Sequence, residues 1–281
     1  MKIRGTVMAI AVSSGCLALT AQAAPMVEVV ERAEVQFIPL NPARGDASPQ
    51  AGVLWGDIRQ DVPSGALITF ANGFASPPHI HNITYRAVVI EGTVHNDDPD
   101  AENLWMGPGS FWTQPAGEVH ITAVGPGGGT AFLEILSGPY LVQPSRQAFD
   151  NGERPVNIEE RNVVWLDSSD VTWVAQGPNG SGPEMAFLWG TPADDQLNGT
   201  FVRLPPGFSG ALQTNGVEMK GVLVKGTLIH AAEDFSESRA LSAGSYFGSE
   251  GDVSHSLTCG DAEACVVYVR ATGKYQVVAV D

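Results

Sequence analysis

Positive charge, cysteine and long apolar runs are all scarce in this chain, and each shortage removes a class of function. Lysine and arginine number 15 against 31 acidic residues in 281, a formal charge of −16. A surface built for nucleic acid needs clustered cations to displace counterions from phosphate, so no nucleic-acid partner is expected. The same deficit excludes a polybasic membrane anchor. No apolar stretch reaches the roughly 20 residues of a membrane span, so no stable membrane insertion is expected. Three cysteines are too few for a disulfide-dense scaffold. The chain has no Gly-x-Ser-x-Gly elbow, no reactive cysteine near a histidine and no phosphate-cradling glycine loop, which excludes triad hydrolysis and P-loop chemistry. Nor does any segment keep a 3.6-residue apolar period over three turns. What is plentiful is turn chemistry: 32 glycines and 19 prolines suit many short strands.

Residues 1–23 have the parts of a secretory signal peptide. Lys2 and Arg4 precede an apolar run from Val7 to Leu19, broken by Ser13, Ser14 and Gly15, and Ala21-Gln22-Ala23 supplies a small-x-small cleavage site. Cys16 offers a lipoprotein alternative, but Ser13 stands where a lipobox prefers leucine. The expected location is therefore periplasmic or secreted. Cleavage would leave 13 basic residues against 31 acidic, a charge of −18. It also leaves two cysteines, Cys259 and Cys265, with apolar runs on either side of a short glycine-containing turn. In an oxidising compartment two thiols facing each other across a hairpin are expected to form a disulfide. A soft metal site is the alternative, poorly served by two cysteines with no histidine nearby.

The chain also repeats itself. Val53-Leu54-Trp55-Gly56 returns 134 residues later as Phe187-Leu188-Trp189-Gly190. At the same offset Gly73-Phe74 meets Gly207-Phe208 and Gly92-Thr93 meets Gly226-Thr227. One residue further on, Gly109-Ser110-Phe111 meets Gly244-Ser245-Tyr246, His120 meets His255, and Tyr140 meets Tyr275. Within each copy, runs of five to eight residues rich in Val, Ile, Thr, Phe and Tyr alternate with turns. About 115 residues of short, even strands fit a jelly roll, which wraps two sheets together. The expectation is an all-β chain of two tandem jelly-roll barrels. Residues 1–23 are the leader, 24–142 the first domain, 143–160 a linker and 161–281 the second domain.

The chemistry concentrates in the first copy. Its sequence runs Gly73, five residues, His79-x-His81, three residues, Tyr85, six residues, Gly92; then Gly109, five residues, Pro115-x-Gly117, two residues, His120. Residues two apart on a strand share a face, so His79 and His81 can point together into a barrel. His120, after a Pro-x-Gly turn, can return a third imidazole beside them. Three convergent imidazoles make half a transition-metal shell and leave positions open for substrate.

This double pattern resembles the cupin superfamily. It departs from it at Tyr85, which stands where that family keeps a glutamate ligand, and at Val124, which replaces a terminal asparagine. Over nearly the whole mature chain it also resembles the bacterial bicupins of domain of unknown function 4437. The resemblance implies His79, His81 and His120 as metal ligands in the manner of three-His cupins such as acetylacetone-cleaving and cysteine dioxygenases. It further implies Tyr85 as a hydrogen-bond donor in the catalytic site; the plainer reading is a buried tyrosine tied to a neighbour. The metal would be a divalent transition ion (Fe, Zn, Mn or Ni), which imidazole chemistry does not discriminate.

In the second copy the corresponding positions are Gln213, Asn215, Met219 and His255, a poor ligand set, so this half is expected to be a scaffold. His230 has no partner that the sequence reveals. The function expected is an exported bicupin holding one metal in its first barrel and oxidising a small diketone, phenolic or carboxylate. The alternative is a non-catalytic periplasmic binder or sensor of a small ligand or metal. Either takes a small-molecule partner, and a homo-oligomer is compatible with both.

Overall fold

The computed structural model describes residues 26–177, 182–232 and 237–280. The leader 1–23, with Cys16, lies outside them. The described residues form strands joined by turns and four short 3-10 segments. None of them forms a helix long and apolar enough to cross a membrane.

Two large antiparallel sheets carry the repeat. The first runs Val156–Ile158, Phe111–Gln114, Tyr85–Asp97, Ile121–Ile135, Ser64–Phe70, Gln50–Trp55 and Phe37–Pro39 in spatial order. The second runs Met26–Val30, Tyr246–Glu250, Met219–Lys225, Cys265–Ala271, Asn198–Leu204 and Glu184–Gly190. Five strands of one correspond, in the same order, to five of the other through the sequence repeat. A further six-stranded sheet closes the second barrel. In the first barrel the long strands Tyr85–Asp97 and Ile121–Ile135 bend over the top instead, with register shifts between Val89 and Glu91 and between Gly92 and Val94. Bulges of this kind turn a strand from one sheet to the next. Gly92 allows the bend: its φ is +74°, and a Cβ there would lie 2.2 Å from the Gly128 carbonyl oxygen.

Alternation along the strands sorts the apolar residues into three cores. On the strand Tyr85–Asp97, Tyr85, Ala87 and Val89 face the first barrel's interior, while Val88 and Ile90 face outward. On Met219–Lys225, Met219 and Leu223 face the second barrel, while Val222 and Val224 face outward. The outward faces pack on each other, so the third core lies between the barrels. Its symmetry follows the repeat: Lys220 lies over the ring of Trp55 and its counterpart Arg86 over that of Trp189. Tyr268 donates to buried Glu134 across the interface at 2.6 Å.

The edges of these sheets depart from the boundaries read in the sequence. Met26–Val30, which opens the first copy, pairs with Tyr246–Glu250 of the second. Val156–Ile158, inside the stretch read as linker, pairs with Phe111–Gln114 of the first. Each copy's leading strand thus completes the other copy's sheet. The backbone fastens each exchange to the repeat: Arg32 N donates to Ser245 Oγ and Glu160 N to Ser110 Oγ, both at 3.0 Å. The sequence pattern places Val156–Ile158 in a linker and does not show which edge either segment joins, because backbone pairing carries no side-chain label.

Cys259 and Cys265 are joined in a disulfide, and both are buried. The closed loop is short, with a sequence separation of six. Loop-closure entropy assigns it a stabilisation of about 2 kcal/mol. Reduction of folded protein is expected to lower the denaturant midpoint accordingly. An unchanged midpoint after verified thiol release would show that the bridge leaves the unfolded chain unconstrained.

Candidate metal centre

His79, His81 and His120 converge, their ligating nitrogens all within 4.8 Å of one another. The backbone makes this happen. His79 and His120 form a reciprocal antiparallel bridge, each N–H donating to the other's carbonyl at 3.0 Å. The Gly117 N–H donates to the His81 carbonyl at 2.8 Å, which fixes the second motif against the first. Gly117 has φ +77°, and a Cβ would stand 2.3 Å from the Phe149 carbonyl oxygen, so the turn leading into His120 requires glycine.

The tautomers follow from the hydrogen bonds. His79 Nδ1 lies 2.9 Å from the Pro77 carbonyl, His81 Nδ1 3.1 Å from that of Leu141, and His120 Nδ1 3.2 Å from that of Glu118. A carbonyl can only accept, so each Nδ1 carries the proton and each Nε2 presents a lone pair. His120 Nε2 is buried without a partner. Leaving a buried acceptor unmet costs free energy, and a cation at this point would meet it. The donor set therefore fits a divalent transition metal.

Electrostatics keep the ligands neutral. Burial pushes the His81 imidazole well below the usual histidine range, with His120 and then His79 adding to the effect. Burial, then His79, lowers His120 to about 3. His79 is lowered by burial, against the pull of the Pro77 carbonyl. In the second barrel burial lowers His230 to about 4 and, with His230 beside it, His255 to about 3. Groups protonated more readily in the unfolded chain withdraw stability as pH falls through their unfolded values near 6.5. Each contributes up to about 1.4 kcal/mol per pH unit in that window. Burial raises Glu134, which runs the other way but is one group against several. The urea midpoint of metal-free protein is expected to fall between about pH 7 and about pH 5, before the ordinary carboxylates titrate. A flat profile there would mean that these imidazoles are solvated.

Tyr85 is buried among the histidines, its ring edge-on to His81 with centroids 5.1 Å apart. Its hydroxyl, however, donates to Asn96 Oδ1 at 3.0 Å and receives the Trp112 indole N–H at 3.4 Å. Asn96 in turn accepts from Thr122 Oγ1 and donates to Gln114 Oε1. Its proton is thus committed to a closed polar network. The hydroxyl that reaches the metal-facing nitrogens belongs to Tyr140, which donates to His81 Nε2 at 3.1 Å and stacks on the His81 ring at 4.3 Å. Motif spacing singles out Tyr85 and passes over Tyr140, which follows the second motif by 20 residues and stands out only as the counterpart of Tyr275.

Two of the three histidines, His79 and His81, border a cavity of about 420 Å³ lined mainly by apolar groups, among them Ile68, Phe70, Phe74, Trp112 and Leu133, with Tyr85 and Tyr140 also on its wall. This volume suits a small organic ligand.

In the second barrel the matching histidine has partners on both ring nitrogens. His255 Nδ1 lies 2.9 Å from His230 Nε2, and its Nε2 lies 2.9 Å from Ser249 Oγ. His230, without a partner in the sequence reading, is paired here. Met219 is fully buried in the core and Asn215 is exposed, so the four ligand-equivalent positions do not converge.

Paired β-barrels with three convergent imidazoles in one of them define a two-barrel protein with a candidate metal site in its first half. The chain belongs to the family described as domain of unknown function DUF4437, whose profile matches residues 28–278. No curated protein matches the chain. Among solved structures it is similar to a candidate dioxygenase of Nostoc punctiforme, with TM-score 0.63 and 12% identity over 91% of this chain and 87% of that one. It is similar to AerE of Microcystis aeruginosa, with TM-score 0.55 and 12% identity over 88% and 97% of the two chains. A third likeness is to oxalate decarboxylase of Bacillus subtilis, with TM-score 0.51 and 14% identity over 90% and 79%. At these identities the likeness concerns the fold.

Proposed function

We propose that the protein is an exported, metal-dependent oxygenase whose first barrel oxidises a small diketone, phenolic or carboxylate substrate. The observation that carries this reading is the convergence of three Nε2 lone pairs, one of them buried without a partner, beside an apolar cavity. The bound ion, Fe, Mn, Ni or Zn, would supply Lewis acidity and, for a redox-active metal, electron transfer to dioxygen. The chain's own groups do the rest. His79, His81 and His120 would hold the ion with neutral nitrogen donors. The Tyr140 hydroxyl oxygen lies 3.1 Å from His81 Nε2; once that lone pair is given to the ion, the O–H would be free to donate to the bound ligand. Apolar walls exclude water and leave few polar groups to compete for the substrate. Export is supported by the leader pattern at residues 1–23 and by the disulfide, which suits an oxidising compartment.

The test is substrate-dependent oxygen uptake by protein reconstituted separately with each of the four metals, against a panel of the three substrate classes. Turnover with one metal, lost by more than half in His79→Ala protein, is the expected result. Tight ligand binding that survives metal removal, with no uptake, would overturn the oxygenase in favour of a binder.

A further inference from the structure

The wall of the cavity contains no acidic side chain, although acidic residues outnumber basic ones about two to one in the chain. Its single fully charged group is Arg44. That residue is unusual among the cations. Of the 13 basic residues after the leader, nine sit in ion pairs. Arg32 and Arg86 lie over the rings of Phe37 and Trp189. Arg44 and Arg146 are the remaining two, and of these Arg44 borders the cavity.

The turn that carries Arg44 is held in place. It is the 3-10 segment Pro42–Ala47, broken at Gly45 with φ +53°. Asn41 caps its start by accepting from Ala43 N at 3.1 Å. The buried Ser48 anchors its end, with Oγ accepting from Asn41 N at 2.9 Å and its own N–H donating to the Gly45 carbonyl at 3.0 Å. The exposed guanidinium therefore projects from a fixed support, with no carboxylate paired to it among the described residues.

We infer that the ligand of this cavity is an apolar carboxylic acid whose carboxylate is held by Arg44 at the mouth while its hydrocarbon or aromatic body lies between Phe70, Phe74 and Leu133. A planar guanidinium matches a carboxylate bidentately, and the apolar wall recovers the free energy of burying the body. In a chain of net charge −16 the long-range field repels anions, so selection has to act locally. Arg44 does this by attracting the acid, and the acid-free wall avoids opposing it. The inference rests on the oxygenase reading for what happens to the bound acid, but not for its binding.

The test uses 4-phenylbutyrate and its neutral isostere 4-phenylbutyramide, titrated calorimetrically into metal-free and zinc-loaded full-length protein. The acid is expected to bind about tenfold more tightly than the amide, a preference that shrinks in molar salt. Arg44→Ala is expected to remove that preference while leaving amide affinity unchanged, and Arg44→Lys to restore part of it. Equal affinity for acid and amide in wild-type protein would overturn the proposal. So would equal weakening of both by Arg44→Ala, or no binding of the acid at millimolar concentration. Because the contrast is read without metal as well, a protein that takes up no zinc but prefers the acid would overturn the metal centre and leave this inference standing.

Discussion

His120→Ala protein is expected to lose its metal while keeping its fold. In wild-type protein His120 Nε2 is a buried acceptor with no partner, so the imidazole carries an unmet desolvation cost in the metal-free state. Removing the ring deletes that cost along with some packing, and the metal-free variant should be nearly as stable as wild type. With metal the comparison reverses. Two imidazoles remain where three converged, and affinity for zinc is expected to fall by about a hundredfold or more, by analogy with outer-shell changes that already cost ten to a hundredfold. Wild type should gain thermal stability from added zinc by mass action, and the variant should gain little. Elemental analysis beside paired melting curves reads both effects. If the variant retains more than half the wild-type metal, or wild type gains nothing from zinc, the three histidines are packing residues.

The second large effect is at the interface between the barrels. Trp55 is 8% exposed, with its ring 5.4 Å from Phe132 in its own barrel and 5.0 Å from Tyr246 in the other. Gly65 lets it lie flat: a Cβ there would stand 2.3 Å from the indole ring. Trp55→Ala is expected to cost about 3–5 kcal/mol, the range for truncating a buried aromatic. Since this core joins both sheets, the loss should appear in the unfolding of both barrels, as one shifted transition or as two separated ones. A fall of less than about 1 kcal/mol in chemical denaturation would mean that the interface relaxes around the missing ring.

How far the sequence reveals these features depends on the range of the signal. The two barrels are legible because turn glycines and the Leu-Trp-Gly motif recur at a fixed offset, and turns are local chemistry. His79, His81 and His120 are legible because strand parity and the Pro-x-Gly return place them together before any fold is known. Tyr140 is not, because a tyrosine in the connection between Ile135 and Val142 has no pattern to mark it, and only its stack and hydrogen bond on His81 set it apart. The part taken by Tyr85 is half legible: its place beside the ligands follows from spacing, but the destination of its proton depends on Asn96, 11 residues along a bent strand. The pairing of His230 with His255 was equally hidden, since the register between two strands fixes it.

The exchange of leading strands has a consequence for the order in which the molecule comes together. A chain is made from its N-terminus, so Met26–Val30 emerges among the first folded residues, yet its partners at Tyr246–Glu250 are made more than 200 residues later. Until Tyr246–Glu250 is made this strand lacks its partner, and it waits for the second barrel before it can join that sheet. Pairings so distant in sequence are slow to form. The first barrel receives its own exchanged strand, Val156–Ile158, about 45 residues after the strand it joins. The half that holds the histidines can therefore close its sheet early, and the half without them closes last.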